Sequence, residues 1–153
     1  MKTQTQIKQI DARLARQLRH KILRPHQPPE ACIYPNDDAA NTAHFGAFEN
    51  SVLIGIASIF NELPPHGENQ SAWRIRGMAT EAAARGKGYG GLLLNACIKY
   101  AASQNGSYIW CNARTTVMGF YEKFGFKTTG EEFELPGIGP HYLMIRLLSN
   151  EDY

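Results

Sequence analysis

Arg85-Gly86-Lys87-Gly88-Tyr89-Gly90-Gly91 is the stretch on which the reading of this chain turns. Four glycines fall within six residues, between a segment of strand-like alternation and one of helical period. A loop so placed leaves the N–H groups of the loop and of the first helical turn unpaired, at the positive end of the helix dipole. A phosphate fits there. The plain alternative, a flexible turn, is disfavoured by this density of glycine between Arg85 and Lys87.

Upstream, Trp73 to Thr80 alternates Arg74 and Arg76 with Ile75 and Gly77, which predicts a strand with one face on a core and one toward solvent or a cleft. Thr42 to Phe48 and Val52 to Phe60 predict a hairpin turning at Glu49-Asn50. Asp11 is a predicted N-cap for a helix carrying Leu14, Leu18, Ile22 and Leu23, stopped by Arg24-Pro25 and preceded by a strand around Gln4 to Ile10. Between them, Pro25 to Asn41 is rich in Pro, Asn and Asp and reads as a long loop lining a substrate entrance.

Downstream, Gly91 to Gln104 has helical period and stops at Asn105-Gly106. Ser107 to Asn112 reads as a buried strand, Thr116 to Phe124 as a short helix, and Lys127 to Leu135 and His141 to Leu148 as strands around the turn Pro136 to Pro140. This order predicts a mixed α/β sheet in which a central parallel pair is flanked by antiparallel strands.

Context narrows the phosphate ligand. Gly86-x-Gly88-x-x-Gly91 matches the dinucleotide pattern, but that fold places an acidic residue at the end of the next strand, where this chain has Trp110-Cys111-Asn112. A P-loop needs Lys-Ser or Lys-Thr after its last glycine, and here Leu92 follows Gly91.

The pattern [Gln/Arg]-x-x-Gly-x-[Gly/Ala] at a strand-to-helix junction resembles the acyl-CoA signature of the GNAT superfamily of N-acetyltransferases, and Arg85 to Gly90 satisfies each fixed position. Arg76 to Thr80 looks like that family's fourth strand, and Gly119-Phe120-Tyr121-Glu122-Lys123-Phe124-Gly125-Phe126 is similar to its later helix-and-turn signature. The resemblance implies a mostly antiparallel sheet of about six to seven strands, with a parallel pair splayed at the cofactor and about four flanking helices. It implies acetyl-CoA, or another acyl-CoA, as cosubstrate. Pantetheine would lie on Met78, Ala79 and Thr80, the pyrophosphate on Arg85, Gly86, Lys87, Gly88, Tyr89, Gly90 and Gly91, and Asn112 would be a further cofactor contact. An exposed strand edge suits pantetheine, whose two amides can pair with it.

In the reaction the resemblance implies, a primary amine of a small molecule or peptide attacks the thioester directly, and a tetrahedral intermediate expels CoA thiolate. Tyr121 occupies the position of the usual general acid. An unperturbed phenol, pKa about 10, is a weaker acid than a thiol at about 8.5, so hydrogen bonding to the leaving sulfur is the role expected of it. Arg74 and Arg76 stand where some relatives carry a carboxylate base, and Glu62, His66, Glu132 and His141 are the remaining base candidates. His141 follows a rigid Gly-Pro turn. The alternative function is a noncatalytic acyl-CoA-binding sensor; a dinucleotide oxidoreductase is weaker still.

Composition agrees. The 153 residues, 43% hydrophobic, suit one domain spanning 1–153. A net charge of only +2 gives no general pull toward nucleic acid or an anionic membrane. Cys32, Cys97 and Cys111 form no Cys-x-x-Cys pair, and the five histidines show no metal-ligand spacing, so no metal is expected. The polar start and the absence of a long apolar run predict a cytoplasmic protein. A homodimer is compatible with this reading.

Overall fold

Asp11 begins the first helix in the manner its sequence predicts: its carboxylate accepts from the Leu14 amide at 2.9 Å. The computed structural model describes residues 3–68 and 71–152. Met1 and Lys2 of the polar start, and Asn69 and Gln70 of the loop read from Asn61 to Ser71, lie outside the described residues.

In chain order the elements are β1 (Thr5–Ile10), α1 (Ala12–Ile22), β2 (Ala43–Glu49), β3 (Val52–Asn61), β4 (Ala72–Thr80), α2 (Tyr89–Ser103), β5 (Tyr108–Arg114), α3 (Met118–Glu122), β6 (Lys127–Leu135) and β7 (Gly139–Leu147). The strands form one sheet in the order β1-β2-β3-β4-β5-β7-β6, with β4–β5 parallel and the other pairs antiparallel. Mixed α/β architecture with a single parallel pair is therefore what the patterns foretold. Where about four helices were expected, the described residues hold three α-helices, supplemented by 3-10 turns at Pro29–Cys32, Ala82–Ala84, Thr115–Val117 and Asn150–Asp152. The turn at Pro29–Cys32 has a proline at its first position, where proline is tolerated, and ends at extended Ile33 shortly before Pro35, which leaves no length for an α-helix.

Local chemistry sets the boundaries. Asn50 and Ser51 both have positive φ, 50° and 71°, which matches the right-handed twist of β2 and β3. α2 ends where Asn105 takes φ 60° and Gly106 donates to Ala101 O at 2.9 Å. A Cβ on Gly106 would stand 2.7 Å from the Trp73 ring. The helix starts at Tyr89, two residues before the predicted start at Gly91. The ring of Tyr89 is buried in the main core, and burial there recruits the preceding residues into the first turn.

Helices cover the sheet on both faces. On one, Leu93, Leu94, Cys97, Ile98 and Ala101 of α2 pack on Ala57, Ile59, Trp73, Ile75, Ile109 and Cys111. On the other, Leu18 and Ile22 of α1 pack on Ile56 and Ala79. All three cysteines are free and buried. No helix among the described residues is long and apolar enough to cross a membrane.

Candidate active site

Parallel pairing between β4 and β5 lasts three residue pairs, Ala72–Tyr108, Trp73–Ile109 and Arg74–Trp110. Beyond Arg74 the two strands have no ladder between them. The cause is a bulge: β4 spends Arg76 to Ala79 against Ser58 to Ile56 of β3, one residue more than its partner. Gly77 sits in it with φ 68°, and a Cβ there would come within 3.0 Å of Arg19 Nε and 3.3 Å of the Tyr34 ring. The edge of Met78, Ala79 and Thr80 toward β5 is thus left open, while their other edge remains on β3. One group on that stretch is already engaged, since Arg85 Nε donates to Thr80 O at 3.1 Å.

The glycine loop lies at the end of this open stretch. Gly86 and Gly88 have φ 81° and 86°, and nothing lies within 4 Å of a Cβ built on either. Gly88 is the N-cap of α2 and supplies no side-chain cap. Its carbonyl takes the Leu92 amide at 3.2 Å, whereas the amides of Gly86, Lys87 and Gly88 have no acceptor among the described residues. Gly90 and Gly91 lie inside α2, where they admit the rings of Phe120 and Phe124; a Cβ on Gly91 would stand 2.8 Å from Phe124 Cζ. Two glycines therefore shape the loop, and two let α3 approach the start of α2.

Tyr121 of α3 is 9% exposed and packed edge-on against Phe120 and Phe126. Its hydroxyl faces Met78 Sδ of β4 at 4.0 Å, so the phenol and the open strand stretch share one side of the sheet. Burial, with the Cys111 and Cys97 thiols nearby, pushes the phenol far above its ordinary pKa. It stays a neutral donor. Burial also pushes the Cys111 thiol up to about 12 and raises that of Cys97, so neither is a thiolate.

Strand alternation sorts the other residues. Ile109, Cys111 and Ala113 face α2. Tyr108 and Trp110 face the α1 side, and alternation places Asn112 and Arg114 with them. The expected cofactor contact Asn112 consequently stands on the face away from Tyr121, paired with Leu143. His141 is the register partner of Arg114 and shares that face.

On the same face, Tyr34 is held between two guanidinium groups, with Arg19 Cζ at 4.0 Å and Arg76 Cζ at 3.9 Å from its ring centre. Arg19 is fully buried and donates to both Asp37 oxygens, at 2.7 and 2.9 Å, to Cys32 O and to Ser58 Oγ. Burial alone would raise the Asp37 carboxyl, but hydrogen bonds from Arg19, the Tyr34 amide and Arg16 hold it below its ordinary value. Arg74 pairs with Glu62 at 2.8 Å and lies over Trp110, and its Nε is buried without a partner. Arg76 has no carboxylate partner among the described residues. Burial, with the neighbouring Arg74, lowers its pKa.

Of the four base candidates, His66 and Glu132 are exposed and Glu62 is engaged by Arg74. His141 is 3% exposed and stacked on Phe133. Its Nδ1 lies 2.7 Å from Gly139 O, and because a carbonyl only accepts, Nδ1 carries the hydrogen, which in the neutral ring leaves the lone pair on Nε2.

Sequence reading did not find Arg19, Tyr34, Asp37, His44 and Ser58 as the frame of this face. One signal was available: Arg19 stands within the apolar stripe of α1, beside Ala15, Leu18 and Ile22. The loop 25–41, read as a substrate entrance, is held to α1 by Arg16 and Arg19, which donate to Asp37, and it places Tyr34 against Arg76 on this face. Together the loop and α1 line a groove of about 440 Å³ that includes Arg13, Gln17, His20 and Ile33, on the side of α1 turned away from the sheet.

A model of the acetyltransferase (GNAT) family matches residues 11–126. The uncharacterized N-acetyltransferase YitI of Bacillus subtilis (strain 168) is 40% identical over 143 residues, covering 94% of this chain and 96% of its own. Among solved structures, Escherichia coli ElaA superposes with a TM-score of 0.76 at 20% identity, over 94% of this chain and 99% of that one. An aminoglycoside 6'-N-acetyltransferase complexed with coenzyme A superposes with a TM-score of 0.71 at 16% identity, over 94% and 97%. These two likenesses concern the fold. Among the described residues no group of three or more His, Cys, Asp or Glu could hold a metal ion.

Proposed function

Because the chain belongs to the acetyltransferase (GNAT) family, and is an acyl-CoA-dependent acyltransferase, we propose that it moves an acetyl group from acetyl-CoA to a primary amine of a small molecule or peptide that carries an acidic group. We read residues 1–153 as a single catalytic domain. The observation that carries the reading is the parting of β4 from β5 beyond Arg74, beside a helix N-terminus whose preceding amides lack acceptors. Pantetheine extends along Met78, Ala79 and Thr80, and the pyrophosphate rests on the amides from Arg85 to Gly91. Binding energy from this unreactive arm positions the thioester in the gap between the strands.

The amine approaches from the α1 face. An alkylamine with a pKa near 10.4 must lose a proton at a cost of roughly 4 to 5 kcal/mol at pH 7 before it can attack. His141 Nε2, on that face and with its lone pair free, is the acceptor we assign, directly or through one water. Nitrogen then adds to the thioester carbon, the positively charged nitrogen of the tetrahedral intermediate releases its second proton to solvent, and collapse breaks the C–S bond and expels the thiolate, to which Tyr121 Oη on the opposite face donates a hydrogen bond. Arg76, lacking a carboxylate partner and braced on Tyr34, supplies the positive charge that an acidic group of the acceptor would meet.

Acetyl-CoA-dependent thiol release across amines matched in size, with and without a carboxylate or phosphate, tests this reading. Acidic amines should be preferred, and Arg76→Gln should erase the preference while sparing neutral amines. Thiol release with neutral amines alone would refute the acceptor class, and no release with any amine would refute the reaction.

A further inference from the structure

The side chains of Glu49, Lys87 and Tyr89 form a cluster that the reaction above does not use. Tyr89 opens α2 and is 4% exposed. Its hydroxyl donates to Glu49 Oε2 at 2.6 Å and stands 3.3 Å from Thr5 Oγ1. Thr5 and Glu49 are register partners on β1 and β2, so the first residue of the helix is clasped by two adjacent strands. The same carboxylate oxygen lies 3.3 Å from Lys87 Nζ. Lys87 stands between the two open glycines, Gly86 and Gly88.

One carboxylate thus does two separable things. The hydrogen bond from Tyr89 requires only an acceptor, which an amide oxygen also provides. The contact with Lys87 requires charge. With side-chain exposures of 52% for Lys87 and 22% for Glu49, this ion pair is accessible to water and open to exchange with another anion. A pyrophosphate arriving at the loop brings two negative charges against the carboxylate's one and can hydrogen-bond to amides that Glu49 does not reach.

We infer that Glu49 is a positioning residue of the phosphate cradle, fixing the start of α2 through Tyr89 and serving as the resident counter-ion of Lys87 that the cofactor's phosphate displaces. The inference rests on the assignment of Arg85 to Gly91 as the pyrophosphate site. Glu49 therefore restrains affinity for the cofactor while keeping the loop ordered in its absence.

Glu49→Gln separates the two effects, because glutamine keeps the acceptor for Tyr89 and removes the competitor for Lys87. Dissociation constants for acetyl-CoA, measured by calorimetry at about 25 mM and about 250 mM NaCl, give the readout. E49Q should bind acetyl-CoA about two- to fivefold more tightly than wild type at the lower salt, the scale of an exposed ion pair, and the difference should shrink at the higher. Introduced into a Lys87→Met background, the same change should give no gain. An E49Q protein that binds equally or more weakly at low salt, or gains as much without Lys87, overturns the inference. Tyr89→Phe should weaken binding at both salts, and unaltered binding in that variant removes the clasp. Wild-type protein that binds no acetyl-CoA overturns the cradle and this inference together; wild-type binding with an unchanged E49Q overturns the inference alone.

Discussion

Replacing Tyr121 with phenylalanine removes one oxygen from a site where it does little for the fold. The hydroxyl's neighbour is a thioether sulfur at 4.0 Å, a weak acceptor, and the ring contacts with Phe120 and Phe126 remain in the variant. Stability should change by less than about 1 kcal/mol, a Tm shift of at most about 4 °C for a domain of this size. Turnover should respond more strongly. Burial keeps the phenol protonated, so the contribution proposed for it is a hydrogen bond to a developing thiolate rather than full proton transfer. Hydrogen bonds to charged groups are worth about 1.5–3 kcal/mol, which corresponds to a loss of roughly 10- to 150-fold in kcat. Steady-state thiol release at saturating acetyl-CoA measures it, and calorimetry should find the dissociation constant for acetyl-CoA nearly unchanged. The raised phenol pKa adds a condition: wild-type kcat should show no decline attributable to phenol ionisation up to about pH 10. Wild-type turnover in Tyr121→Phe would refute the assignment. A falling alkaline limb that disappears in the variant would refute the hydrogen-bonding role.

Other consequences can be checked with purified protein. Gly88→Ala places a side chain at φ 86° and a methyl group in the open loop, so acetyl-CoA should bind at least about tenfold more weakly while the urea midpoint falls by the equivalent of about 1 kcal/mol. Asp37→Asn leaves the fully buried Arg19 without its anion and should cost about 3–5 kcal/mol by chemical denaturation, whereas Asp38→Asn, at an exposed carboxylate, should cost under about 1 kcal/mol. His44 donates through Nε2 to Asp37 O and accepts at Nδ1 from Ser58, and burial holds its pKa below 6.5. Between that lowered value and 6.5 the unfolded chain binds a proton that the folded chain does not, so stability should fall as pH drops below about 6.5. Denaturation series at pH 7.5 and 5.5 should show the loss, and His44→Asn should flatten it.

Much of this architecture is written in local patterns. The strand Lys127–Leu135 begins and ends where its residues predict, and Asn105-Gly106 stops α2 because an αL residue and a side-chain-free neighbour are both required beneath Trp73. Asp11 likewise announces α1 by a side chain that reaches only three residues. Boundaries that depend on distant partners were harder to read. Tyr89 is drawn into α2 by Glu49 and Thr5, 40 and 84 residues away, and no periodicity near the loop reports that clasp. The Arg19–Asp37 pair spans a loop rich in Pro, Asn and Asp, and its burial emerges only once α1 and β3 are packed together. Among the candidate site residues, Tyr121 is proposed from a motif and His141 from the turn before it. The free lone pair of His141 depended on the carbonyl of Gly139, which the sequence does not orient.

The bulge at Gly77 also has a mechanical meaning. It divides the sheet into two leaves, β1 to β4 and β5 with β7 and β6, joined along their common border by three residue pairs. Direct backbone pairing ties the leaves together at Ala72 to Arg74, and beyond Arg74 that border has no ladder. In the reaction proposed above, a cofactor lying beyond Arg74 would touch both leaves, with Arg76 on one and Arg114 and His141 on the other. A ligand in the gap would bridge two leaves that the backbone there leaves unjoined, so the cofactor would complete the sheet as well as take part in the reaction.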